Sequence, residues 1–168
     1  LGQAINSGLG LDETLELIAA RATEALNAKA AAIRLVVEDG TLALGTVVVK
    51  AGKGFDLQNE KRIAEYVADA GEPIMVDDVR TDWEPWNLGS SLVCIPLVLE
   101  DRIVGTLTLF DKIAPAGTIR RLFSTNDLDL LFALSSQVAA KIEEIRLTGR
   151  LQELVLFNWS IKGRNNLF

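Results

Sequence analysis

The sequence predicts an α+β domain in which helices lie against an antiparallel sheet. Three observations carry this reading. Two pairs of strand-like runs are each joined by a short polar turn, helical periodicities precede and follow them, and the elements fall in the order helix, hairpin, helix, strand, hairpin, helix.

The first element is an amphipathic helix over residues 11–27. Leu15, Ile18, Ala22 and Leu26 recur at helical spacing, and Asp12, Glu13 and Glu16 stand near its start, where carboxylates suit the positive end of the helix dipole. Ala30 to Val37 and Leu42 to Val49 are apolar runs flanking Glu38-Asp39-Gly40-Thr41, which supplies turn chemistry, so a β-hairpin is expected. After the Gly52-Lys53-Gly54 break, a second helix runs from Gln58 to Ala70 with Ile63 and Val67 four apart, and Gly71 and Pro73 close it.

A short strand, Ile74 to Val76, leads into the polar and aromatic stretch Asp77 to Trp86, read as a loop or short helical turn. Ser91 to Leu99 and Ile103 to Phe110 make a second hairpin around Glu100-Asp101-Arg102, and Gly105 inside it marks close packing or a bulge. Lys112 to Phe123 looks irregular. Ser124 or Thr125 then caps a long helix whose first turn holds Asn126, Asp127 and Asp129. Leu128, Leu131, Ser135, Val138, Ile142 and Ile145 form a seam in steps of three and four. Gly149 interrupts it, and a shifted stripe through Leu151, Leu154, Val155, Asn158 and Ile161 continues beyond. Residues 149–168 therefore read as a linker helix towards a downstream output domain.

Composition narrows the function classes. The chain begins at Leu1 and its sole methionine is Met75, so an excerpt or a processed product is expected. At 168 residues it suits one domain that buries roughly 70% of its unfolded surface. A single cysteine, Cys94, excludes an intrachain disulfide and fits a reducing, cytoplasmic setting. No run approaches the roughly 20 apolar residues of a membrane span, and no secretory leader is visible, so no membrane contact by this piece is expected. The net charge of −6, with basic residues scattered apart from Arg120-Arg121, argues against nucleic acid as a partner. Histidine is absent, which removes Ser-His-Asp and Cys-His catalysis, His-ligated zinc and a His phosphoacceptor. No catalytic residue, metal site or cofactor is expected, and Asp77 and Asp78 beside Arg80 read as a solvated loop.

Several stretches, in order, resemble the GAF domain family over residues 5–148. They are Leu9 to Leu15, Ala32-Ile33-Arg34-Leu35, Ala70 to Asp78 with its Gly-x-Pro, strand and Asp pattern, Ser91 to Leu97, Ile103 to Leu107, and Phe123-Ser124-x-x-Asp127 with the helix through Gln137-Val138-Ala139. Residues 1–148 are accordingly read as the GAF domain. The resemblance implies a PAS-related antiparallel sheet with the terminal helices on one face and a ligand cavity on the other. Departures argue against special subclasses. Cyclic-nucleotide members carry Asn-Lys, a spacer, Phe, three residues and Asp-Glu, whereas Asp111-Lys112, Phe123 and Asp127-Leu128 stand here. Bilin attachment lacks its neighbouring histidine, and methionine-sulfoxide reduction lacks a resolving thiol.

The candidate ligand-binding residues are Arg34, Asp78, Trp83, Trp86, Cys94, Thr106, Thr108 and Phe110. Strand alternation turns Arg34 away from Ile33 and Leu35, towards either an anionic ligand or an ion pair with Glu38, Asp77 or Asp78. Cys94 suits core packing, a redox role or ligand contact. Trp83 and Trp86 either lid a pocket or pin their loop to the sheet edge. Thr106, Thr108 and Phe110 share a strand face that either lines the cavity or meets solvent. Leu128, Leu131, Val138, Ile142 and Ile145 are the expected homodimer interface. The function expected is a small-molecule sensor of signal transduction, such as a two-component system, that dimerises and relays ligand state to an output domain. The alternative is a ligand-free dimerisation unit.

Overall fold

The computed structural model describes residues 10–76, 91–113 and 123–166, with side chains of the last helix described as far as Gly149. Helix α1 spans Leu11–Leu26, strands β1 and β2 span Ala28–Val36 and Leu42–Val49, and α2 spans Leu57–Ala70. Then come β3 at Ile74–Val76, β4 at Leu92–Leu99, β5 at Arg102–Lys112 and α3 at Thr125–Asn166. The five strands form one sheet in the order β2-β1-β5-β4-β3, with every neighbouring pair antiparallel.

Local chemistry sets the element ends. The Gly10 N–H at the head of α1 donates to Glu13 Oε2 at 2.8 Å, and Asn27 ends that helix in the left-handed region. Asp56 caps α2 by accepting from the Gln58 and Asn59 N–H groups, each at 3.1 Å, and Gly71 closes it with φ of 73° and an N–H bonded to the Val67 carbonyl. Ser124, rather than Thr125, caps α3. Its Oγ accepts from the Asp127 N–H at 3.2 Å, and Asp127 Oδ2 accepts from the Ser124 N–H at 2.9 Å, a reciprocal capping box.

The helical seam of α3 turns inward. Leu131 and Ile142 are fully buried in the same cluster as Leu15, Ile33, Ile95 and Leu107, and Leu128 and Val138 pack against that cluster. This corrects the assignment of Leu131 and Ile142 to a homodimer interface, because a side chain with no accessible surface in its own chain has none to offer a second copy; Leu128 and Val138 are only half-buried. Ile145 is half-buried. The helix also runs unbroken through Gly149, so that glycine interrupts the apolar pattern without interrupting the backbone.

Gly105 explains the packing of β5 on β1. A Cβ there would sit 2.2 Å from the Arg34 carbonyl oxygen, inside any tolerable contact, so only glycine permits this approach. Beside it, the β1–β2 register shifts between Ile33 and Arg34. The second sheet face is also covered. Helix α2 lays Ile63, Ala64 and Val67 over Ala30, Ala32, Leu92, Cys94 and Phe110. Both faces of the sheet's middle strands are thus buried among the described residues.

Candidate functional site

The face beneath α2 holds the candidate residues that the strands supply. Cross-strand register sets Arg34 opposite Thr106, and Thr108 between Ala32 and Cys94, so strand alternation puts Arg34, Thr106, Thr108, Cys94 and Phe110 on one face. Above them α2 contributes Glu60, which is entirely buried. Arg34 Nε donates to Glu60 Oε1 at 2.8 Å, and Arg34 Nη2 lies 2.7 Å from the same oxygen. Arg34 Nη2 also donates to the Leu57 carbonyl at 3.3 Å. The other carboxylate oxygen, Oε2, accepts from Thr108 Oγ1 at 2.8 Å.

Arg34 therefore does form an ion pair, as one of its two expected roles required, but among the described residues its partner is Glu60 and not Glu38; Asp77 and Asp78 lie outside the described residues. Helical spacing carried the missed information. Glu60 precedes Ile63, Ala64 and Val67 by three, four and seven positions, which places it on the apolar face of α2 despite the charged run around it. A buried carboxylate needs a cation, and Arg34 is the buried basic side chain among the described residues.

Two further groups complete the cluster. Thr106 Oγ1 is buried without a hydrogen-bond partner, an arrangement that carries a desolvation cost. Cys94 is fully buried, and desolvation pushes its thiol up to about 12, with a hydrogen bond to Thr108 opposing and the charge of Glu60 adding to the rise. Such a thiol stays protonated and unreactive at neutral pH. Phe110 meets Phe55, their ring centroids 5.3 Å apart and the planes tilted by 52°. Asp78, Trp83 and Trp86 lie outside the described residues.

A second polar junction ties the sheet to the terminal helices. Lys112 Nζ donates to the Leu26 carbonyl at 2.6 Å, where α1 ends, and to Asp127 Oδ1 at 2.9 Å, where α3 begins, and lies 5.9 Å from the centre of the Phe123 ring. The three residues the sequence matched to the family's Lys, Phe and Asp positions thus meet in space. At the other end of the sheet, Arg146 of α3 donates to the Val36 carbonyl at 3.0 Å, and Arg102 of β5 pairs with Glu143.

The described residues also line two surface hollows. A cleft of about 430 Å3 runs between the β1–β2 turn and α2, bordered by Val36, Thr41, Glu65, Asp69 and Ile103. A groove of about 280 Å3 separates α1 from α3, with Leu107 at its floor and Ile18, Ala22, Leu134 and Val138 along its sides. Among the described residues, no group of three or more Cys, Asp or Glu side chains could hold a metal ion, and no helix is long and apolar enough to cross a membrane.

Comparison with known proteins places this geometry. A family model described as GAF domain matches residues 8–143. The GAF domain of an Acinetobacter phosphoenolpyruvate-protein phosphotransferase is similar with a TM-score of 0.62 at 18% identity, covering 88% of this chain and 91% of that one. The GAF3 domain of a Synechocystis protein in its photoproduct state gives 0.62 at 14% identity, covering 85% and 99%. A GAF domain/HD domain protein from Geobacter sulfurreducens gives 0.61 at 10% identity, covering 82% and 94%. At such identities the likeness is one of fold. Among curated proteins, none matches the chain.

Proposed function

This chain belongs to the GAF domain family, and we propose that it serves as a small-molecule-sensing regulatory domain, without enzymatic activity of its own, that passes ligand state through α3 to an output domain. The observation that carries this reading is the polar cluster beneath α2. Apolar groups of similar volume often hold such a place about as well as a buried ion pair, so two buried charges and an unpaired hydroxyl on this face support a role beyond packing.

The relay has a short path. Arg34 and Val36 are two positions apart on β1, and Val36 holds Arg146 of α3 through its carbonyl. A shift of β1 that follows a change at Arg34 reaches α3 directly, and α3 continues through residues 147–166, about 30 Å at about 1.5 Å per residue. A ligand acts on that path only through different affinities for two arrangements of it.

Dimerisation belongs to the same proposal, through side chains that flank the buried seam. Among the described residues, the large apolar side chains left exposed on the two terminal helices include Leu17 on α1 and Leu130, Phe132 and Leu147 on α3, and these are available for a second copy to cover. A second reading, a ligand-free spacer, is favoured by the close cover of α2 over its sheet face. Native mass spectrometry of the freshly purified chain separates the two. Sensing predicts a dimer with a retained or exchangeable small molecule, and a bare dimer unaltered by any metabolite mixture would leave the spacer.

A further inference from the structure

We propose that Arg34, flanked by Thr106 and Thr108, anchors the carboxylate of a small ligand, and that Glu60 holds this anchoring place until the ligand's carboxylate exchanges for it. The inference rests on the sensing reading above and names the chemical class the site takes. Arg34 presents its guanidinium to a planar carboxylate already, and Glu60 Oε2 uses the Thr108 hydroxyl as its further donor. A free carboxylate of the same geometry finds the same donors, which is the recognition that the guanidinium fork is built for.

The unpaired hydroxyl supplies the independent argument. Thr106 stands directly across from Arg34 in the strand register, fully buried, with its Oγ1 unbonded while Glu60 is in place. Glu60 is fastened to α2 and reaches Arg34 and Thr108; an untethered anion placed on Arg34 has the freedom to engage Thr106 as well. Glu60 also lies in the first turn of α2, so the position it occupies feels the positive end of the helix dipole, a field that favours any anion placed there.

The test is a titration of the 15N-labelled full chain, following the Arg34 Nε–H resonance, assigned by its loss in Arg34→Lys. Sodium acetate, sodium succinate, sodium phosphate and sodium chloride are compared at equal ionic strength. A saturable shift with acetate or succinate and none with chloride is expected. Glu60→Gln, which keeps the side-chain shape and removes the competing charge, should bind the same probe at least about tenfold more tightly. Silence of Arg34 towards both carboxylates, in the original chain and in Glu60→Gln alike, would overturn the proposal, as would phosphate binding as well as succinate does. The failures are distinguishable: a retained neutral molecule in the mass spectrum with a silent Arg34 sinks the carboxylate and leaves sensing standing, whereas a bare dimer with a silent Arg34 sinks both.

Discussion

On the sheet's middle strands both faces are buried, one in a wholly apolar layer and the other in an apolar layer that encloses charged and polar groups. Under α1 and α3, Leu15, Ile33, Ile95, Leu107, Leu131 and Ile142 interlock in an apolar layer. Under α2, alanines, Ile63 and Val67 surround Arg34, Glu60, Thr106, Thr108 and Cys94. The first layer is held by area removed from water, which has no preferred direction and tolerates exchange of one hydrocarbon for another. The second depends on directed bonds whose members fail together. The comparison teaches where change can be tolerated: the apolar face suits the fixed frame of the domain, and the polar face suits a part whose partners can be exchanged.

Breaking the comparison begins with the polar face, where the largest effect is expected. Arg34→Leu leaves the Glu60 carboxylate buried and uncompensated, a change that costs about 3–5 kcal/mol. Urea unfolding should record a loss of that order, and a loss under about 1 kcal/mol would mean that water already reaches the pair. Arg34→Met combined with Glu60→Leu removes both charges and should recover most of the loss. On the apolar face, Leu107→Ala removes packed methyl groups at a cost of about 3 kcal/mol, set by how far the neighbours close the cavity. No second substitution of opposite charge should rescue it, and rescue by any polar residue would erase the distinction between the faces.

The smallest effect is a pH dependence. The folded chain holds the Cys94 proton up to about 12 against an ordinary 9.0, because burial disfavours the thiolate. Its contribution is therefore full below about pH 9 and is lost as pH climbs from there towards about 12. From about pH 8 to about pH 10 the original chain should lose about 1.4 kcal/mol more than Cys94→Ala does, by paired urea titrations. Equal slopes would mean that the thiol is solvated.

The elements were legible because each has a local signature. The Asp39-Gly40 turn, the Gly71 closure of α2 and the Ser124 cap of α3 depend on residues within a few positions of one another, and the structure places all of them near where spacing does. The candidate site was legible in part. Alternation along β1 and β5 put Arg34, Thr106, Thr108 and Phe110 on one side, and the register keeps them together. What stands above that side was not legible, since Arg34 and Glu60 are 26 positions apart and each is joined to the other only by the return of α2 over the sheet.

By itself, then, the order of residues determined the strands, the helices and which side chains share a face, because 2-residue and 3.6-residue periodicities are properties of a single chain segment. Tertiary structure alone decided that Glu60 answers Arg34 and that Leu131 and Ile142 meet the chain's own sheet and not a second copy. An amphipathic stripe states that a face must leave water, and it does not state against what. That is resolved only when every buried surface and every buried charge in the fold finds its partner at once.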